Sequence, residues 1–145
     1  MKRLLLCVLM LMAAVVSAQA AGPAPVTVSQ ARIRWLPGDL PMAGYFRITS
    51  HAPGPLYLVG ADSPAFGMAM LHRSVEDAGV SRMEHVDRVT LNPAQTVVFA
   101  PGGYHLMLMQ RKQDVRTGQA VPLTLRFSNG ETITTRFRVV GIEDE

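Results

Sequence analysis

The residues with the most distinctive chemistry in this chain are histidines and methionines set two apart. Met70 and His72 flank Leu71, Met83 and His85 flank Glu84, and His105 and Met107 flank Leu106. In an extended chain, residues two apart point the same way, about 6–7 Å from one another. Three segments would therefore each present an imidazole and a thioether on one face. Thioether sulfur is soft and imidazole nitrogen borderline. A set of both that needs no carboxylate favours Cu(I) over zinc, magnesium or calcium.

The third pair lies in Pro101–Gly102–Gly103–Tyr104–His105–Leu106–Met107–Leu108–Met109. Proline and two glycines mark a turn. After it Tyr104, Leu106 and Leu108 alternate with His105, Met107 and Met109, so one side is ordinary core and the other carries the soft donors. Taken singly, each donor has a plainer role. Methionine fills irregular core gaps, and a lone histidine is by default structural. Met68, Met70 and Met109 share the parity of the candidate donors and read as an apolar rim that would shield a metal. His85, beside Glu84 and Asp87, reads as a surface histidine, and His51, in a turn-rich loop, as a solvated one. Met42, between Pro41 and Ala43, reads as a loop methionine near the mouth of any site, and Trp35 as a core anchor.

The elements that must position these residues are short strands. Extended segments are predicted over 26–35, 45–49, 56–60, 68–75, 80–86, 89–91, 96–99, 104–109, 122–127 and 132–139, from apolar alternation broken by Gly, Pro, Asn and Asp. Segments 68–75 and 80–86 are expected to pair as a hairpin across a turn at Glu76–Gly79. Asn129-Gly130 predicts a second hairpin with a type I′ turn. Asp114–Gln119 has room for a short helical turn, and no longer helical period is present. Strands of this length and spacing predict an all-β sandwich or barrel.

Met1–Ala20 reads as a cleaved signal peptide: Lys2 and Arg3, an apolar run from Leu4 to Val16, then Ala18-Gln19-Ala20. Cys7 lies inside the apolar run, so no lipid anchor is expected. Residues 21–145 would form one domain. The chain carries +3. Without Lys2 and Arg3, 12 basic and 11 acidic residues remain and leave +1. The remaining basic residues are dispersed, which argues against nucleic acid. Cys7 is the single cysteine, so the processed chain would hold no disulfide and no thiolate nucleophile. Blue-copper electron transfer needs such a thiolate. Ser63 and Ser74 lie in no nucleophile elbow, and the carboxylates show no paired setting. No enzymatic activity is expected.

The run His72, ten residues, Met83, twenty-one residues, His105, one residue, Met107 resembles the H-x10-M-x21-H-x-M pattern of the bacterial periplasmic copper chaperones of the PCuAC family. Gly44-Tyr45, Ile48-Thr49, His72-Arg73, Ser81-Arg82-Met83, Pro101–Leu108 and Val121–Leu125 are similar too. The likeness runs from about Gly44 to Val139. It implies a cupredoxin-like, Ig-like β-sandwich of short antiparallel strands. It implies one Cu(I) per chain, held by His72, Met83, His105 and Met107. It also implies a monomeric periplasmic carrier with no membrane anchor. Such a carrier delivers copper towards the CuA centre of cytochrome c oxidase, with the oxidase CuA subunit and a Sco-type thiol protein as transient partners. The last residues, Gly141–Glu145, hold neither His nor Met, so the second copper of His/Met-tailed members is not expected. Two other roles remain open. One is a periplasmic copper buffer or tolerance protein. The other is a secreted β-sandwich interaction module whose Met face is plain packing.

Overall fold

The computed structural model describes residues 24–142. The expected signal peptide and residues 143–145 lie outside them. Ten strands make up the described residues: β1 (Val26–Arg34), β2 (Met42–Ser50), β3 (Leu56–Asp62), β4 (Phe66–Asp77), β5 (Val80–His85), β6 (Val89–Leu91), β7 (Thr96–Phe99), β8 (Tyr104–Arg111), β9 (Ala120–Phe127) and β10 (Thr132–Val140). They join into one hydrogen-bonded sheet in the order β5-β4-β8-β7-β2-β1-β10-β9-β3-β6. Buried side chains from strands far apart in that order, such as Leu71 on β4, Leu58 on β3 and Leu91 on β6, belong to one core cluster. The sheet therefore folds over on itself, and its two halves face each other across that core as in a sandwich. The expected all-β, cupredoxin-like class is borne out. Most pairings are antiparallel, but β1 runs parallel to β10, and β7 meets β8 in parallel at Phe99 and Tyr104.

The core follows from alternation. Leu71, Leu106 and Leu108 are buried, each contributing about 1.5–3 kcal/mol on leaving water. Phe46 stacks on Phe99 at 4.2 Å between ring centroids and meets Phe137 edge-on at 5.5 Å. In β1 the buried residues change parity, from Val26 to Ile33. A bulge between Ser29 and Arg32, with Gln30 at φ 52°, inserts the extra residue that returns both ends of the strand to the core. Trp35 is only partly buried. It packs against the edge of the core, and its indole N–H donates to Val115 O at 2.8 Å. It is a clamp on the loop before β9 where a central anchor was expected. That loop makes a tight turn near Gly118, at φ 87°, and no helical turn.

Two turns set the register around the candidate residues. The β4–β5 hairpin closes through Ala78 and Gly79, at φ 49° and 78°, between the paired residues Asp77 and Val80. Two consecutive left-handed residues in a two-residue loop make a type I′ turn. The type I′ turn expected at Asn129-Gly130 does not form. Only Gly130 has positive φ there, at 84°. Gly130 N–H donates to Phe127 O, and Asn129 Oδ1 accepts from Glu131 N–H at 3.0 Å. The asparagine side chain caps the loop in place of a left-handed backbone, which gives a type I turn closed by a glycine bulge.

The second decisive turn lies between β7 and β8. Both strands pair with β2, but the register jumps: two residues of β2 separate Phe46 from Gly44, while seven separate their partners Phe99 and Leu106. The surplus residues form a turn closed by Gly103 N–H donating to Ala100 O at 3.0 Å, with Gly102 at φ 78°. Proline at the second position and a left-handed glycine at the third define type II. Beyond it β8 lies close against β2. A Cβ on Gly44 would stand 3.2 Å from the Cβ of Leu106, so glycine is what permits the approach.

Candidate metal centre

The face of β4 and β8 opposite Leu71, Leu106 and Leu108 carries the soft donors. Register sets His72 against His105, Met70 against Met107 and Met68 against Met109. On the other edge of β4, His72 pairs with His85 and Ser74 with Met83. β2 adds Ala43 beside Met107. Three of the four residues that the motif singles out, Met83, His105 and Met107, line one cavity of about 350 Å3. The fourth, His72, stands beside it, its ring centroid 5.9 Å from that of His105.

The type II turn orients His105. Gly103 O accepts from Ser74 N–H at 3.0 Å, which ties the turn to β4. The same carbonyl lies 3.2 Å from His105 Nδ1. A carbonyl can only accept, so Nδ1 carries the proton and Nε2 keeps its lone pair. That Nε2 is buried without a hydrogen-bond partner, as is Nδ1 of His72. Buried nitrogens left open cost free energy unless something that binds a lone pair fills the space. A backbone carbonyl fixing the tautomer from behind is the usual outer shell of a ligating histidine. His105 itself is 4% exposed.

His72 has its pKa lowered from the ordinary 6.5. Burial is the larger cause, and the neighbouring imidazoles of His105 and then His85 add to it. A neutral ring, the form that ligates, is thereby favoured. Met107 is half-buried, whereas Met83 is 63% exposed. The soft face is thus graded from a closed end on β8 to an open end on the hairpin. Among the described residues no group of three or more His, Asp, Glu or Cys side chains is arranged to hold a metal ion. A metal held at this face by protein side chains alone would need thioethers to complete its shell.

Sequence reasoning missed the cavity walls. Leu36 and Pro41, from the loop between β1 and β2, border the cavity together with Tyr45 and Pro101. Tyr45 faces away from the core yet is buried, with the Arg32 guanidinium 5.4 Å from its ring centroid. The alternation of β2 held the signal, since Ala43 and Tyr45 share a parity opposite to Phe46 and Ile48. Met42 is no exposed loop residue. It opens β2 and is 1% exposed, because its pairing with Leu108 turns it toward the core. It still borders the cavity from below. Met68 is the exposed end of the methionine ladder, and Met70 and Met109 are half-buried. His85 is exposed, with Nε2 3.4 Å from Asp87 Oδ1. His51 is exposed as expected but is paired with Thr27 Oγ1 at 2.7 Å.

The family described as "Putative lipoprotein LpqE-like" matches residues 26–139. The chain belongs to the LpqE-like family. A protein of Leifsonia xyli subsp. xyli named "Putative lipoprotein Lxx21020" is 35% identical over 108 residues, 74% of this chain and 64% of its own length. An uncharacterized protein of Rickettsia prowazekii, RP573, is 31% identical over 88 residues, 60% of this chain and 49% of its own. The LpqE-like chain thus spans from about half to just under two thirds of the length of these curated relatives. Among solved structures, CuI-DR1885 from Deinococcus radiodurans superposes with a TM-score of 0.65 at 29% identity, over 86% of this chain and 83% of that one. Its apo form is 32% identical, with a TM-score of 0.61 and 86% of each chain covered. The copper-bound PCuAC domain from PmoF2 gives a TM-score of 0.68 at 24% identity, over 81% and 93%. The fold is that of the PCuAC domains, and the resemblance to the PCuAC family drawn from the motif is borne out.

Proposed function

We propose that this LpqE-like chain is a Cu(I) carrier of the cell envelope that holds one ion through His72, Met83, His105 and Met107. The observation that carries the reading is the buried, unpartnered Nε2 of His105, a residue that lines one cavity with Met83 and Met107 and has the ring of His72 beside it. The copper-loaded state of the solved neighbours supports it. The lipoprotein names of the family and of one relative agree with an envelope destination, and export by the expected signal peptide would place the chain in the periplasm.

The mechanism follows from the donors. Neutral imidazoles and thioethers add no negative charge, so the bound ion keeps its +1. Cu(I) accepts soft sulfur readily and the set lacks a thiolate, so cycling to Cu(II) at this position is disfavoured. A thiolate acceptor binds Cu(I) more strongly and can take it by stepwise ligand exchange. Met83, on the exposed end, is the donor that leaves first. Met107 and His105, backed by β8 and the type II turn, hold the ion until an acceptor sulfur has replaced Met83. Delivery would run towards the CuA centre of cytochrome c oxidase, with a Sco-type thiol protein as a transient partner.

Anaerobic Cu(I) titration against a competing chelator tests the site. Wild type is expected to bind one equivalent. His105→Ala and Met107→Ala are each expected to weaken binding by more than the roughly 10–100-fold that disturbing an outer shell costs, with the apo protein still folded by circular dichroism. Failure of wild type to compete with the chelator rules the reading out.

A further inference from the structure

His72 is the middle member of a row of three imidazoles, one from each of three adjacent strands. Its ring centroid is 5.9 Å from that of His105 and 5.7 Å from that of His85. The proposed Cu(I) site uses the first neighbour and leaves the second idle. Metal–nitrogen bonds of about 2.0–2.1 Å put an imidazole centroid roughly 3.2 Å from the ion, so two rings that share an ion stand at most about 6.4 Å apart. Both separations fall inside that limit. His72 has two possible partners for a shared ion, on opposite sides of its own strand.

The pair on the β5 side differs in character. His85 is exposed, and its Nε2 faces Asp87 Oδ1 at 3.4 Å. That carboxylate engages Nε2 and leaves Nδ1 as the ring's other nitrogen for a metal, in the way an outer-shell carboxylate backs a ligating histidine. The hairpin register that sets His72 against His85 is fixed by the two-residue Ala78-Gly79 loop. The neighbouring cross-strand pair, Arg73 and Glu84, forms its own 3.7 Å ion pair on the other face. His72 is half-buried and His85 exposed, so water can complete the shell from the His85 side, and a nitrogen-and-oxygen shell of tetragonal shape suits Cu(II), as thioethers suit Cu(I).

We propose that His72 and His85 form a second, solvent-facing site that takes Cu(II) directly, with no thioether and no redox step. Because His72 belongs to both sites, occupation of one excludes the other. Only this exclusion rests on the Cu(I) reading; the His72–His85 pair stands or falls without it.

The test is Cu(II) titration of the apo protein followed by electron paramagnetic resonance. One Cu(II) with nitrogen hyperfine structure is expected. The signal should persist in the Met83→Leu, Met107→Leu double variant, which removes both thioethers of the Cu(I) site. In His85→Ala the Cu(II) affinity should fall more than about tenfold, the lower end of what disturbing even an outer shell costs, while Cu(I) affinity stays at the wild-type value. Preloading with Ag(I), a redox-inert substitute for Cu(I), should abolish the signal. A Cu(II) signal indifferent to His85→Ala, or lost with the thioethers, overturns the site. Ag(I) that binds yet leaves the signal intact overturns the sharing of His72. Wild-type failure to bind Cu(I) would refute the carrier reading and leave the Cu(II) result to be judged alone.

Discussion

At the scale of single residues, the functional reading turns on two nitrogens. His105 Nε2 and His72 Nδ1 are both buried without partners, and the carbonyl of Gly103 explains why the first is a lone pair and not an N–H. His72 has the clearer pH consequence. Its pKa lies below the ordinary 6.5 because of burial and then of its two imidazole neighbours. In the proposed site Cu(I) would bind the neutral ring, so protons would compete only once the pH falls below that lowered pKa. Affinity for Cu(I) is therefore expected to be level at and above about pH 6.5 and to fall only at more acid pH, by up to about tenfold per pH unit once His72 must lose a proton. Chelator competition across pH 5–8 measures this. Affinity that already fell above about pH 6.5 would contradict the lowered pKa of His72. The donor pairs were legible in the sequence because a spacing of two has one meaning in a strand. Their environments were not. Met83 is open and Met107 half-buried, though the two look alike in a string of letters.

At the scale of elements, the hairpin is the part that positions half the site. Its existence was legible from the breaker at Glu76–Gly79. Its turn type was not, because the asparagine–glycine pair that usually signals type I′ lies at 129–130. There Asn129 spends its side chain on Glu131 N–H, while Ala78 accepts the left-handed conformation without any side-chain compensation. An L-residue other than Gly, Asn or Asp loses roughly 1–2 kcal/mol in that conformation. The Ala78→Asn variant is therefore expected to stabilise the apo protein by about 0.5–1 kcal/mol, read as a rise in thermal midpoint, with Cu(I) affinity unchanged. A fall in stability would show that the turn is not the one described. The jump between β7 and β8 was not legible at all. The turn residues Pro101–Gly103 announce a loop, but the five-residue shift exists only relative to β2, a partner more than fifty positions away.

At the scale of the whole molecule, one continuous sheet wraps a single core and leaves its soft donors on the outer face at one end, next to the exposed hairpin edge. That placement suits transfer more than storage, because an acceptor can reach Met83 without opening the core. Cu(I)-loaded protein mixed with a reduced dithiol protein is expected to lose its copper to the thiols, with no change in far-ultraviolet circular dichroism. Retention of copper against excess dithiol would instead describe a buffer. The all-β class and the number of strands were legible from alternation and breakers. The closure into one folded-over sheet was not, since it depends on the parallel contact of β1 with β10 across the length of the chain. X-ray absorption at the copper edge of the Cu(I)-loaded protein counts the nitrogen and sulfur donors of the proposed shell. Two imidazole nitrogens and two thioether sulfurs are expected, with one sulfur lost in Met107→Ala. A shell of nitrogen and oxygen alone, or one unchanged by Met107→Ala, would contradict the proposed shell.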